Sequence, residues 1–137
     1  MQRPETKARA RALQLLYAWD VSGRPPLAVV VDRVTAMYGG PTPVAGRARE
    51  LAARAVARLP EFDRRIAECV EHWRMERVGV VERNVLRLAL AELAEGATPR
   101  RVVIDEAVKL ASWFAGDKAP GFVNGVLDAA ARESGAL

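Results

Sequence analysis

The chain has 137 residues, the size of a single domain, and carries 21 Lys and Arg against 17 Asp and Glu for a formal charge of +4. One cysteine, Cys69, excludes an internal disulfide, and with His72 as the one histidine a single chain cannot assemble a four-ligand zinc site. The apolar stretch from Ala12 to Trp19 is interrupted by Gln14 and is too short for a signal or membrane segment, so a soluble cytoplasmic protein is expected.

Alternation of period two is almost absent, whereas apolar residues recur at helical spacing between Gly and Pro punctuation. A first helix is predicted from Glu5 to Val21, stopping at Ser22-Gly23, and a second from Pro26 to Tyr38, stopping at Gly39-Gly40. The third covers Val44 to Arg58. Pro60 opens a fourth, to Trp73, with Ile66, Cys69, Val70 and Trp73 as its stripe. A fifth follows Gly79 and ends at Glu95, before Gly96. Thr98-Pro99 reads as a cap followed by proline at the first helical position of a sixth, which ends at Phe114, its buried stripe being Val103, Ala107, Leu110, Ala111 and Phe114. The seventh begins near Ala119-Pro120 and fades at Ser134-Gly135. The runs Val29-Val30-Val31 and Val102-Val103-Ile104 are embedded in helical patterns and too isolated to form a sheet. The expectation is one all-α domain of about seven helices, in an N-terminal half over residues 1–58 and a C-terminal half over 60–134. Gly39 to Pro43 is a candidate joint.

Several faces invite a functional reading. On the first helix Lys7, Arg11 and Gln14 fall at i, i+4 and i+7 opposite the stripe of Ala12, Leu15, Leu16 and Trp19, with Tyr17 at its edge. Cations for phosphates, an amide for a base edge and a ring for stacking suit single-stranded nucleic acid; the alternative is a solvated face with Tyr17 laid on the core. Arg83 and Arg87, four apart, make a second short basic row on the polar face of the fifth helix. Glu92 falls among Val81, Val85, Leu88 and Ala89, so its carboxylate is expected to be buried and to need an arginine or capped amides. Asp105 and Glu106 read as helix-surface charges, with Asp105 pairing to Lys109 at i+4. The pair Asn124-Gly125 breaks a helical pattern, which calls for either close packing or a binding surface, with Phe122 at the stripe's edge and Asn124 facing away. No glycine loop for phosphates, dinucleotide fingerprint or nucleophile elbow is present; His72 and Cys69 read as structural, and no enzyme is expected.

Four blocks in order, ARARALQLLY from Ala8 to Tyr17, VLRLALAEL from Val85 to Leu93, VIDEAVKLA from Val103 to Ala111 and FVNGVLD from Phe122 to Asp128, together resemble the NusB family of transcription antitermination factors. The resemblance covers nearly the whole chain. It implies an all-α fold of two packed helical subdomains that binds boxA RNA of ribosomal RNA leaders with NusE, a small-subunit ribosomal protein. That complex joins other Nus factors and RNA polymerase to suppress termination, without catalysis, metal or cofactor. By the same resemblance Lys7 and Arg9 stand for a basic N-terminus, with Arg11 an extra charge and Arg3 an outlier, Gln14 and Tyr17 for the first-helix motif, and Arg83 and Arg87 for RNA-facing positions. Phe122 and Asn124 belong to the last block, and Glu82 aligns with an acidic NusE contact. Glu5 and Thr6 occupy positions where relatives often carry basic residues, and the helical wheel turns Arg9 towards the core. Two alternatives are the NusB-like N-terminal module of an rRNA cytosine methyltransferase, which needs a following α/β domain beyond Leu137, and a homodimeric protein scaffold that hides its RNA face.

Overall fold

The computed structural model describes residues 3–70 and 78–134, and among them finds seven α-helices and no strand. They are α1 (Pro4–Val21), α2 (Leu27–Met37), α3 (Pro43–Ala57), α4 (Leu59–Cys69), α5 (Val80–Glu95), α6 (Arg100–Phe114) and α7 (Ala119–Ser134). The all-α reading and the order of elements hold. The fourth helix ends at Cys69, with Val70 beyond it in a non-helical conformation, earlier than the expected end at Trp73; His72 and Trp73 lie outside the described residues.

Local chemistry accounts for the boundaries. Thr42 caps α3 by accepting a hydrogen bond at its Oγ1 from the Ala45 N–H (3.0 Å), and Pro43 supplies the first turn. Gly96 closes α5 in the left-handed conformation at φ +74°, donating its N–H to the Glu92 carbonyl. The α1–α2 turn holds Arg24 at φ +58°, an unusual position for a residue with a Cβ. It is held by Trp19, whose Nε1 donates to the Pro25 carbonyl (2.8 Å) while the Arg24 guanidinium lies 5.2 Å from its ring centre. The start of α6 differs from expectation. Pro99 is the cap residue of α6, the helix begins at Arg100, and no side chain caps it.

Helix α5 is the axis of the fold and packs against α1, α3, α4, α6 and α7. Every residue from Asn84 to Leu93 is buried. A helix enclosed on all sides is ordinarily apolar throughout, yet this one carries Asn84, Arg87 and Glu92. Each must therefore find partners inside the protein. Around it the core runs continuously from Ala8 on α1 through Leu51 on α3 and Ile66 on α4 to Ala130 on α7.

In α7 the Asn124-Gly125 pair continues the helix, and both residues are exposed. A Cβ built on Gly125 meets nothing within 4 Å, so helix packing does not explain the glycine. Of the two reasons offered by the sequence, an accessible surface remains.

Candidate nucleic-acid interface

The polar residues of α5 sort the arginines into two kinds. At one end, Arg9 of α1 is 6% exposed and grips Glu92 with two hydrogen bonds, Nε to Oε1 at 2.6 Å and Nη2 to Oε2 at 2.9 Å. Its Nη1 also donates to Glu106 of α6 at 3.0 Å. The Glu106 carboxylate accepts further from the Thr6 hydroxyl and pairs with the Lys109 ammonium at 2.8 Å. Burial pushes the Glu106 carboxyl upward, but hydrogen bonds from Lys109 and Thr6 and the nearby positive charges outweigh it and hold the group below the usual carboxylate range. The hydrogen bond from Arg9 to Glu92 likewise raises the arginine pKa against the opposing effect of burial. The buried Glu92 thus has the arginine partner that its place among apolar residues demanded.

At the other end, Arg87 is 1% exposed and makes four hydrogen bonds. Its Nε and Nη2 donate to the two carboxylate oxygens of Asp63 on α4 (2.7 and 2.8 Å), and its Nη1 to Asp20 of α1 (2.9 Å) and to Asn84 Oδ1 (2.8 Å). Asp20 also accepts from Arg83 (2.9 Å), Arg24 (3.1 Å) and Asn84 (3.2 Å). Burial acts to raise its carboxyl, and the donors from Arg83, Arg24 and Asn84 reverse that, leaving it far below the ordinary range.

Three expectations are corrected by this geometry. Arg87 does not share an exposed polar face with Arg83, because α5 is enclosed at that turn. Arg9 is likewise committed to carboxylates in the interior. Both guanidiniums hold helices together, and burial closes them off from a phosphate. Glu106 is buried rather than superficial, and it, not Asp105, takes Lys109.

The remaining predicted residues are placed as follows. Lys7 is exposed, and Arg11 lays its guanidinium 3.7 Å from the ring centre of Tyr38 at the end of α2. Gln14 and Tyr17 open into a cleft of about 350 Å³ shared with Leu13, with Val81 at the start of α5 and with Phe114 at the end of α6. Tyr17 and Phe114 are 45% and 46% exposed, so both rings offer free surface. Gln14 Oε1 is closed off without a hydrogen-bond partner among the described residues. Arg83 is anchored one turn along α1 from Tyr17, through Asp20. Glu82, in the first turn of α5, folds its carboxylate over Gly79 so closely that a Cβ there would lie 2.5 Å from Oε1. Phe122 is half-buried against the core, and Asn124, on the outer face of α7, does not line the Tyr17 cleft.

Sequence reasoning missed Phe114 and Val81 as walls of the cleft, and Tyr38 as the ring under Arg11. Phe114 was legible only as the last member of a helical stripe. No helix is long and apolar enough to cross a membrane, and no cluster of three or more His, Cys, Asp or Glu is placed to hold a metal, among the described residues.

Comparison with known proteins agrees with this architecture. The NusB family pattern matches residues 6–132. The transcription antitermination protein NusB of Solibacter usitatus is 43% identical over 128 residues, which is 93% of this chain and 88% of that protein. Its counterpart in Streptomyces coelicolor is 39% identical over 123 residues, 88% and 87% of the two chains. A crystal structure of T. maritima NusB superposes with a TM-score of 0.85 at 30% identity, covering 97% of this chain and 94% of that one. A crystal structure of antitermination factors NusB and NusE in complex with double-stranded RNA gives a TM-score of 0.85 at 32% identity, over 97% and 99% of the chains. The chain belongs to the NusB family of transcription antitermination proteins, which are not enzymes.

Proposed function

We propose that this protein binds unpaired boxA RNA of ribosomal RNA leaders together with a NusE-type ribosomal protein in the cytoplasm. The complex then joins other Nus factors on RNA polymerase to suppress termination. The observation that carries this reading is the cleft where Tyr17, Gln14, Val81 and Phe114 meet, with exposed Lys7 two turns before Gln14 on the same face of α1 and Arg83 anchored one turn beyond Tyr17 through Asp20. Exposed rings offer stacking for unpaired bases, and cations to either side hold the backbone. The solved complex of a NusB protein with NusE and double-stranded RNA supports NusE and RNA as the partner classes, while the unpaired state of the RNA rests on the exposed rings. Phe122, Asn124 and Glu82 complete the proposed interface, with Glu82 on the NusE side.

The test is titration of a boxA RNA, with and without the NusE-type partner, at two salt concentrations. Lys7→Ala reduces the slope of log affinity against log salt by at most about 0.7, the value for one phosphate contact on a single strand. Tyr17→Ala weakens binding by about 1–3 kcal/mol at either salt. If neither variant changes RNA binding in the presence of the partner, the interface is elsewhere.

A further inference from the structure

A second groove of about 900 Å³ runs between the first half of α1 and α6, which are bridged at its floor by the hydrogen bonds of Thr6 and Arg9 to Glu106. Arg3, Thr6, Val102, Asp105, Lys109 and Trp113 are among its walls. Trp113 is 44% exposed and sits edge-on to its neighbour Phe114, with ring centres 6.3 Å apart and planes at 89°. Phe114 lines the Tyr17 cleft, so these two adjacent residues place one ring in each groove. The perpendicular contact fixes the indole while leaving ring surface open to solvent. A strand leaving the first cleft therefore meets a second aromatic surface without a gap.

We infer that Trp113 is a stacking platform for an unpaired base of the same RNA strand, extending its path from the Tyr17 cleft into the α1–α6 groove. This inference rests on the RNA-binding reading above. The Lys109 ammonium, 6.0 Å from the Trp113 ring centre, is the cation available to the adjoining phosphate. Its present partner is Glu106, which keeps Arg9 and Thr6 as donors if Lys109 swings away, so the move strands no buried carboxylate. Asp105 and Glu5 line the same groove and repel phosphates. Stacking rather than charge must then supply the attraction, and its contribution is insensitive to salt, unlike that of Lys7 and Arg11.

Indole fluorescence of the full chain tests the assignment, using a boxA RNA in a short form and in a form lengthened by a few nucleotides at either end. In the wild type the longer RNA binds more tightly and quenches emission. Trp113→Ala, at an exposed helical position, loses that gain, roughly tenfold within the range a stacked base contributes. Trp113→Phe retains most of the affinity but loses the Trp113 part of the quenching. If wild-type protein binds RNA but Trp113→Ala changes neither affinity nor quenching, the platform is refuted while the RNA reading stands. Failure of the wild type to bind RNA, alone or with the partner, refutes both. Loss of partner-protein binding in Trp113→Ala with RNA affinity intact makes the groove a protein-docking surface, and the inference is then wrong.

Discussion

Replacing Arg87 by alanine separates architecture from recognition, because the family resemblance marks this residue as RNA-facing and the structure puts it inside. The side chain makes four hydrogen bonds to Asp63, Asp20 and Asn84 at 2.7–2.9 Å. Removing it leaves Asp20, whose side chain is 6% exposed, with Arg83, Arg24 and Asn84, but it takes both strong donors from Asp63, which is 28% exposed. Breaking a buried pair typically costs about 3–5 kcal/mol, and the partial solvation of Asp63 places this case near the low end, at about 3 kcal/mol. For a domain of 137 residues that is about 10 °C in Tm, out of a total stability of about 5–15 kcal/mol. Thermal unfolding by circular dichroism reads the loss, and RNA titration well below the new Tm reads recognition. The variant should melt earlier yet bind RNA with nearly wild-type affinity when folded. A variant with unchanged Tm and a large loss of RNA affinity would falsify the division into buried and RNA-facing arginines.

Other outcomes follow from the same geometry. Gly125→Ala should raise Tm, because alanine in an exposed helix interior gains about 1 kcal/mol over glycine and the added Cβ meets nothing; a lower Tm would reveal a contact at this face that the reasoning lacks. Asp20 and Glu106 are both held below their unfolded values of about 3.9 and 4.3, so their stabilisation is complete above roughly pH 5 and is lost as pH falls below those values. Urea unfolding from pH 6 to pH 3 should show that decline, and stability that rises on acidification would contradict it. In Arg87→Ala the decline becomes shallower, since Asp20 has one pairing fewer to lose. Changing Arg9 and Glu92 together to methionine exchanges a buried ion pair for apolar packing and leaves Glu106 with Thr6 and Lys109, so Tm should change little while RNA binding weakens.

Helix boundaries were readable to within about a residue where glycine, proline or a capping threonine stands at them, because those residues act within one turn of chain; at Thr98-Pro99 the threonine does not cap and the helix starts one residue late. Glu92 was readable too, since a carboxylate among Val85, Leu88 and Ala89 has no solution but a buried cation. Arg87 was not. A wheel drawn for α5 assumes one wet face, whereas five other helices close around it, and that enclosure depends on contacts between residues as distant in sequence as Asp20 and Arg87. Glu106 was misjudged for a related reason: it turns inward to Thr6 and Arg9, and Lys109 follows it at i+3 instead of joining Asp105 at i+4. Phe114 fell in the right stripe but on its last turn, where α6 has run past the neighbours that would cover it. The cleft it shares with Tyr17 is a property of three helix ends meeting, which periodicity within a single helix does not express.

The two buried charge clusters also determine how α1 lies on α5. Arg9 meets Glu92, and eleven residues later, about 16 Å along the helix, Asp20 meets Arg83 and Arg87, so the helices run antiparallel. The cation sits on α1 at one end and on α5 at the other. Reversing α1 would oppose Arg9 to Arg87 and Asp20 to Glu92, and sliding it by one turn would part Arg9 from Glu92 and take from Asp20 one of its two α5 arginines. Apolar packing alone tolerates such shifts far better, because Leu, Val and Ala at helical spacing present similar surfaces every turn. Gln14 and Tyr17 lie between the two clusters and are thereby held opposite Val81 and Phe114. This is why the double methionine variant separates stability from recognition: it retains burial but frees one end of the register on which the cleft depends. If that variant binds RNA as the wild type does, with unchanged hydrogen-exchange protection along α1, the packing of the core alone suffices to set the cleft.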